Sequence, residues 1–191
     1  MNIDIQRKRL KNSVCRDIYE ILYIHNFGVY TISDCLSLDD IDILNELFED
    51  GKELSPDDDK ILDIVTKCLK KLSLPIEIIS VRFENHKSKA TMTKIGNETN
   101  DTNIFNMVLP LQDVTKEMGP CLFYPNTNNI ITFKQMLEEE NNVKGQIIER
   151  NHVLGTIKKG ECIIYQCNIL KFMTDNISDI DNRMLIITYK E

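Results

Sequence analysis

Residues 160–189 read GECIIYQCNILKFMTDNISDIDNRMLIITY. A Gly-Glu turn at 160–161 leads into an apolar run, 162–165. An irregular polar middle follows, with Asn176 and Ser178. Arg183 then heads a second apolar run, 184–189. Short apolar runs bounded by turn-forming residues mark buried strands. Two of them flanking a polar loop predict a sheet whose connection presents side chains to a cavity.

Upstream, residues 103–128 read NIFNMVLPLQDVTKEMGPCLFYPNTN and repeat this design. The run 104–109 predicts a buried strand, 113–119 a polar turn, and Gly119-Pro120 the restart of the chain as a second strand, 121–124. The N-terminal third has a different period. Leu10, Val14, Ile18, Ile21 and Leu22 fall on one face of a helix over 7–24, stopped by Asn26-Phe27-Gly28. A short strand is expected over 29–32. Ser37 with Asp40 forms an approximate capping box for a second helix, with Ile41, Leu44, Leu47 and Phe48 as its stripe. Ser55-Pro56, followed by Asp57, Asp58 and Asp59, starts a third helix, with Ile61, Leu62, Val65, Cys68, Leu69 and Leu72 facing a core. Pro75 ends the helical part, and 76–83 predicts a strand. Apart from one helical stretch at 133–140, the rest is strands and turns. Helices followed by strands define an α+β arrangement.

The chain has 191 residues, a length that suits a single domain over 1–191 and can bury a real core. A net charge of −7 leaves no surplus of Lys or Arg to replace counterions on a phosphate backbone, so no nucleic-acid partner is expected. No apolar run reaches membrane length, so no membrane partner is expected. The six cysteines, at 15, 35, 68, 121, 162 and 167, contain no Cys-x-x-Cys pair. Together with an N-terminus lacking a signal pattern, they are read as reduced, mostly buried thiols in a cytoplasmic chain. The chain shows no phosphate-binding Gly loop, no Gly-x-Ser-x-Gly elbow and no dinucleotide fingerprint.

The string 103–124 resembles the phytanoyl-CoA dioxygenase family of Fe(II)/2-oxoglutarate-dependent oxygenases. Those proteins show an apolar strand, then pro-leu-x-asp-val-thr-x-glu-x-gly-pro, then a second apolar strand. The strings 25–41 and 160–189 resemble the family's opening and closing segments, so the likeness spans most of 20–189. It implies a double-stranded β-helix (jelly-roll) core over about 76–189. The helical part, about 7–73, would pack on one of its sheets.

The resemblance also implies an iron held by two His and one carboxylate, the first pair as His-x-Asp ahead of the strand at 104–109. This sequence has Thr93-Lys94-Ile95 there, and Asn126-Thr127-Asn128 where the family continues after its proline with gly-ser-his. The position of the distal His holds Lys171, whose ammonium has no lone pair for a metal. Only His25, His86 and His152 are present, and His86 and His152 are the weak candidates for a rebuilt metal site. Arg183 follows Lys171 at about the spacing by which the family places its 2-oxoglutarate arginine. Lys171 and Arg183 are therefore the candidate residues for 2-oxoglutarate or another anion, with a surface ion pair as the other reading of Arg183.

Three functions compete. In the preferred one, a domain that has lost its iron, and with it catalysis, binds a small carboxylate or a protein partner and needs no cofactor. The alternative is an active Fe(II)/2-oxoglutarate-dependent dioxygenase with non-standard ligands. The third is a structural subunit with a filled barrel.

Overall fold

The computed structural model describes residues 27–49, 52, 54, 59–72, 76–91, 95–96, 99, 101–128 and 152–191. In chain order these form β1 (Val29–Ile32), α1 (Leu38–Leu47) and α2 (Asp59–Leu69), which runs into a 3-10 turn (Lys70–Leu72). There follow β2 (Glu77–His86), β3 (Ile95–Gly96), β4 (Ile104–Pro110), β5 (Cys121–Phe123), β6 (Val153–Leu154), β7 (Cys162–Gln166), β8 (Lys171–Met173) and β9 (Asn182–Lys190). Every pairing is antiparallel. The larger sheet has the order β1-β7-β4-β9-β2 and the smaller β3-β8-β5-β6. From β4 on the chain crosses between sheets, to β5 and β6, back to β7, across to β8 and back to β9, which is the winding of a jelly roll.

Strand alternation gives the larger sheet two unlike faces. Val81 and Phe83 of β2, Phe105, Met107 and Leu109 of β4, Cys162 and Ile164 of β7, and Leu185, Ile187 and Tyr189 of β9 point to one side. There they join Ile41 and Leu44 of α1 and Ile61, Ile64, Val65 and Cys68 of α2 in the main core. Each fully buried Leu or Ile of this stripe contributes about 1.5–3 kcal/mol. The opposite face looks into the jelly roll, where Val114, Phe123, Ile157, Ile163 and Tyr165 belong to a smaller core.

The helix start expected at Ser37 is present. Ser37 Oγ accepts from Asp40 N at 3.2 Å, while Asp40 Oδ2 accepts from Ser37 N at 3.3 Å. Lys67 Nζ, 3.0 Å from Asp40 Oδ1, ties α2 to the same cap. The strands expected at 29–32, 104–109, 162–165 and 184–189 form as β1, β4, β7 and β9, with β4 and β7 each one residue longer and β9 three residues longer. Two details differ. Leu62 is exposed and Ile64 is buried, because the face of α2 repeats at 61, 64, 65 and 68, the i, i+3, i+4, i+7 stripe, and position 62 lies off it. Strand β2 continues past Phe83 to His86, fully paired with β9. The helices expected at 7–24 and 133–140, and the helix start at 55–58, lie outside the described residues.

Candidate functional site

The inner face of the larger sheet is organised in rows by its register. One row crosses Thr188, Asn106 and Tyr165. The next crosses Arg82, Ile186, Val108 and Ile163, and the third Glu84, Met184 and Pro110. The last pairs His86 with Asn182. The first row is polar and closed on itself by hydrogen bonds. Asn106, fully buried, donates through Nδ2 to Tyr165 Oη at 2.9 Å and accepts at Oδ1 from Thr188 Oγ1 at 2.6 Å. Arg82 Nη1 donates to Thr188 Oγ1 at 3.2 Å, and Arg82 Nε to Glu84 Oε1 at 2.9 Å.

Lys171 reaches this row from the smaller sheet. It heads β8, between Gly96 of β3 and Phe123 of β5. Its Nζ donates to Tyr165 Oη at 2.7 Å and lies 4.6 Å from the centroid of that ring. A half-buried ammonium is thus stabilised by a hydrogen bond and by the electron-rich ring face. Lys171 and Tyr165 line a cavity of about 70 Å³ between the sheets, together with Glu84, Asn182, Val108, Phe123 and Ile186 among others.

The other end of the cavity is formed by the turn that restarts the chain at Gly119-Pro120. His86 Nδ1 lies 3.1 Å from Gly119 O, and a Cβ at Gly119 would stand 2.2 Å from His86 Cε1. With φ at +70°, Gly119 also has a backbone that disfavours any side chain. The loop between β8 and β9 is pinned beside it. Asn176 Nδ2 donates to His86 O at 3.0 Å and to Ile180 O at 2.8 Å. Asp181 accepts from Ser88 N at 2.7 Å and from Asn85 Nδ2 at 2.8 Å. The Ser88 amide, with help from Asn85, holds the Asp181 carboxyl at about 2.

The two anion candidates are not brought together. Arg183 pairs with Asn85 across β2 and alternates with Asn182 and Met184, which line the cavity. Its guanidinium carbon lies 5.5 Å from the centroid of Phe48, just after α1. Phe48 in turn packs on Phe83, with centroids 5.2 Å apart. Arg183 therefore points to the helical side of the sheet and Lys171 to the interior. Among the described residues, the interior-facing arginine is Arg82.

The two histidine candidates are also separate. His86 is buried against Gly119. His152 is exposed, its ring centroid 6.2 Å from that of Tyr124. Among the described residues, no three His, Cys, Asp or Glu side chains converge as metal ligands. The donor set placed there does not fit the facial iron site that the sequence resemblance implies, since Lys171 supplies no lone pair. Thr93 and Lys94 lie outside the described residues, as does His25.

Sequence reasoning passed over Arg82, Glu84, Asn106, Tyr165, Asn182 and Thr188. Two signals could have found some of them. In β2, polar residues at 80, 82, 84 and 86 alternate with Val81 and Phe83, and in β4 Asn106 is the lone polar side chain within IFNMVL.

No family model matches the chain, and no curated protein matches it. Solved structures do. The non-heme alpha-ketoglutarate-dependent epimerase SnoN from nogalamycin biosynthesis is similar with a TM-score of 0.71 at 12% identity, covering 94% of this chain and 84% of that one. HygX from Streptomyces hygroscopicus, with nickel and 2-oxoglutarate bound, is similar with a TM-score of 0.69 at 7% identity, covering 90% of this chain and 86% of that one. AviO1 from Streptomyces viridochromogenes Tue57 gives a TM-score of 0.69 at 10% identity, covering 94% of this chain and 97% of that one. The chain thus shares the jelly-roll fold of these structures, one of them described as a non-heme alpha-ketoglutarate-dependent epimerase and one holding nickel and 2-oxoglutarate. Among the described residues, no helix is long and apolar enough to cross a membrane.

Proposed function

We propose that the chain is a phytanoyl-CoA dioxygenase-like protein that binds a small carboxylate in its barrel and does so without a resident iron. The observation that carries this reading is Lys171. It brings a cation into the barrel interior, hydrogen-bonded to Tyr165 Oη at 2.7 Å, where the resemblance would have an iron ligand. A fixed ammonium in a partly dehydrated cavity attracts a carboxylate more strongly than one in open water. The apolar walls, Val108, Phe123, Ile163 and Ile186, suit the carbon body of such a ligand.

Calorimetry with acetate, succinate and 2-oxoglutarate, with and without Fe(II) under anaerobic conditions, tests the proposal. The expected result is binding of at least one of these acids with the same affinity in the absence and presence of iron. Lys171→Met should weaken that binding by about 10-fold or more, the equivalent of about 1.4 kcal/mol. Binding of 2-oxoglutarate only with Fe(II), accompanied by a visible charge-transfer band, would replace this reading with that of an active dioxygenase. One observation favours that second reading: His86 Nε2 is buried without a hydrogen-bond partner and so has a lone pair to offer. Binding of no acid under either condition would point instead to a protein-interaction role.

A further inference from the structure

Among the described residues, Lys171 is the one cation in the wall of the cavity. Arg82 faces the interior too, but it does not line the cavity. Its Nε donates to Glu84 Oε1 at 2.9 Å and its Nη1 to Thr188 Oγ1 at 3.2 Å, so its charge is spent on polar groups of the sheet itself. The other charged residue of the wall is Glu84, an anion. Asn182, also in the wall, uses its Nδ2 as a donor to Met118 O at 3.3 Å, which leaves Oδ1, an acceptor. The Cys121 thiol, a weak donor, is turned to Leu122 O at 3.7 Å. A carboxylate can only accept. Away from Lys171, the polar side chains of the wall thus offer no strong donor to an anion. A second carboxylate placed there would lose its hydration without compensation.

The surface next to Lys171 is hydrocarbon, and the register puts it there. One inward step along β4 from Asn106, in the Tyr165 row, is Val108, which pairs with Ile163 on one side and Ile186 on the other. Phe123 stands opposite Lys171 across β5 and β8, its ring centroid 5.1 Å from that of Tyr165. All four line the cavity. A ligand held by one charged end at Lys171 therefore lays its body on Val108, Ile163, Ile186 and Phe123. The cavity of about 70 Å³ is under half the ~150 Å³ of one that accepts benzene, so a tail of a few carbons fits and an aromatic ring does not.

We infer that the ligand is a short-chain monocarboxylate, with its carboxylate on Lys171 and an apolar tail on the aliphatic row beside it. This inference rests on the carboxylate-binding reading above and narrows it. Dicarboxylates, 2-oxoglutarate included, are disfavoured because their second charge meets hydrocarbon and acceptors.

The test is calorimetry on the full chain with acetate, propionate, butyrate, succinate, 2-oxoglutarate and benzoate, without iron. Affinity should rise from acetate to butyrate by about 4-fold per methylene, the effect of a CH₂ group taken out of water. Butyrate should bind at least about 10-fold more tightly than succinate, 2-oxoglutarate or benzoate. Met173→Lys supplies a gain-of-function arm. Met173 is half-buried, lines the cavity and lies two residues along β8 from Lys171, on the same face. A second cation there should raise succinate affinity several-fold and lower that of butyrate. Thermal unfolding verifies that the variant folds, and the ligand series on the parent chain decides the question by itself where it does not. Succinate, 2-oxoglutarate or benzoate binding as tightly as butyrate would overturn the inference and leave the carboxylate pocket standing. So would an affinity that stays flat from acetate to butyrate, since the tail would then lie outside the cavity. Binding of no acid at all would overturn both.

Discussion

Lys171 Nζ donates to Tyr165 Oη at 2.7 Å and stands 4.6 Å from the centroid of the same ring. One tyrosine thus steers the cation twice, by its hydroxyl and by its face. The hydroxyl also accepts from Asn106 Nδ2 at 2.9 Å, which joins Lys171 to the polar row that runs through Thr188 to Arg82. Tyr165→Phe keeps the ring and deletes the hydroxyl. It should lower carboxylate affinity by about 5-fold and stability by about 1–2 kcal/mol, because Asn106 Nδ2 is left buried without that acceptor. Calorimetry and urea unfolding measure the two effects.

Arg183 provides the opposite test. Had it pointed into the barrel, Arg183→Leu would abolish anion binding. It lies 5.5 Å from the Phe48 ring on the helical side, so the substitution should leave anion affinity within about two-fold. The expected cost is in stability, about 0.5–1 kcal/mol for a partly exposed cation–π contact. A parallel titration of Arg183→Leu and Lys171→Met separates the two cations.

Why Arg183 misled, while the strands around it did not, follows from how strands encode their faces. In β9 both parities are largely apolar, with Met184 and Ile186 inside and Leu185, Ile187 and Tyr189 under the helices. A strand buried on both faces has no alternation to read, so the side on which Arg183 falls is set by pairing with β2 and β4. The strand itself, and its partner at 162–166, were legible because an apolar run between turn residues reports burial without reporting direction. Ser37 and Asp40 were legible for a different reason, since a capping box is a local bond pattern written within four residues. The arrangement around the Gly119 end of the cavity was not legible. Asn182 and His86 are far apart in the chain and meet only through the β2–β9 register. Glu84 was within reach of sequence reasoning, through its alternation with Val81 and Phe83.

The Gly119 turn should tolerate no side chain. Gly119→Ala would place Cβ 2.2 Å from His86 Cε1 and 2.9 Å from the Asn176 amide, on a backbone with φ at +70°. The ring has little room to yield, because it is buried and held at Nδ1 by the Gly119 carbonyl. A loss of about 2–4 kcal/mol is expected from backbone strain and overpacking together. Equilibrium urea unfolding reads it directly, and an unchanged midpoint would mean that the turn does not close on His86.

Asp181 makes the last prediction, one about pH. Its carboxylate accepts from Ser88 N at 2.7 Å and from Asn85 Nδ2 at 2.8 Å, fastening the loop before β9 to the turn after β2. These bonds favour the charged form and hold the carboxyl at about 2, below the ordinary 3.8. A depressed folded-state value stabilises the fold above the unfolded value, and that contribution disappears as pH falls through the folded one. Asp181 should therefore stabilise the protein fully above about pH 4 and lose its contribution between about pH 4 and 2. In Asp181→Asn the charge is absent at every pH. The variant should be less stable than the parent at neutral pH, and the gap should close on acidification through that window. Taking the difference between the two proteins cancels the other carboxylates, which titrate in both. At 36% side-chain exposure Asp181 is screened by solvent, so the gap should be modest and should shrink further in high salt. Thermal unfolding of both proteins from pH 7 to pH 2 measures it. A gap that stayed constant down to pH 2 would mean that the loop is held by the shape of the Asp181 side chain and not by its charge.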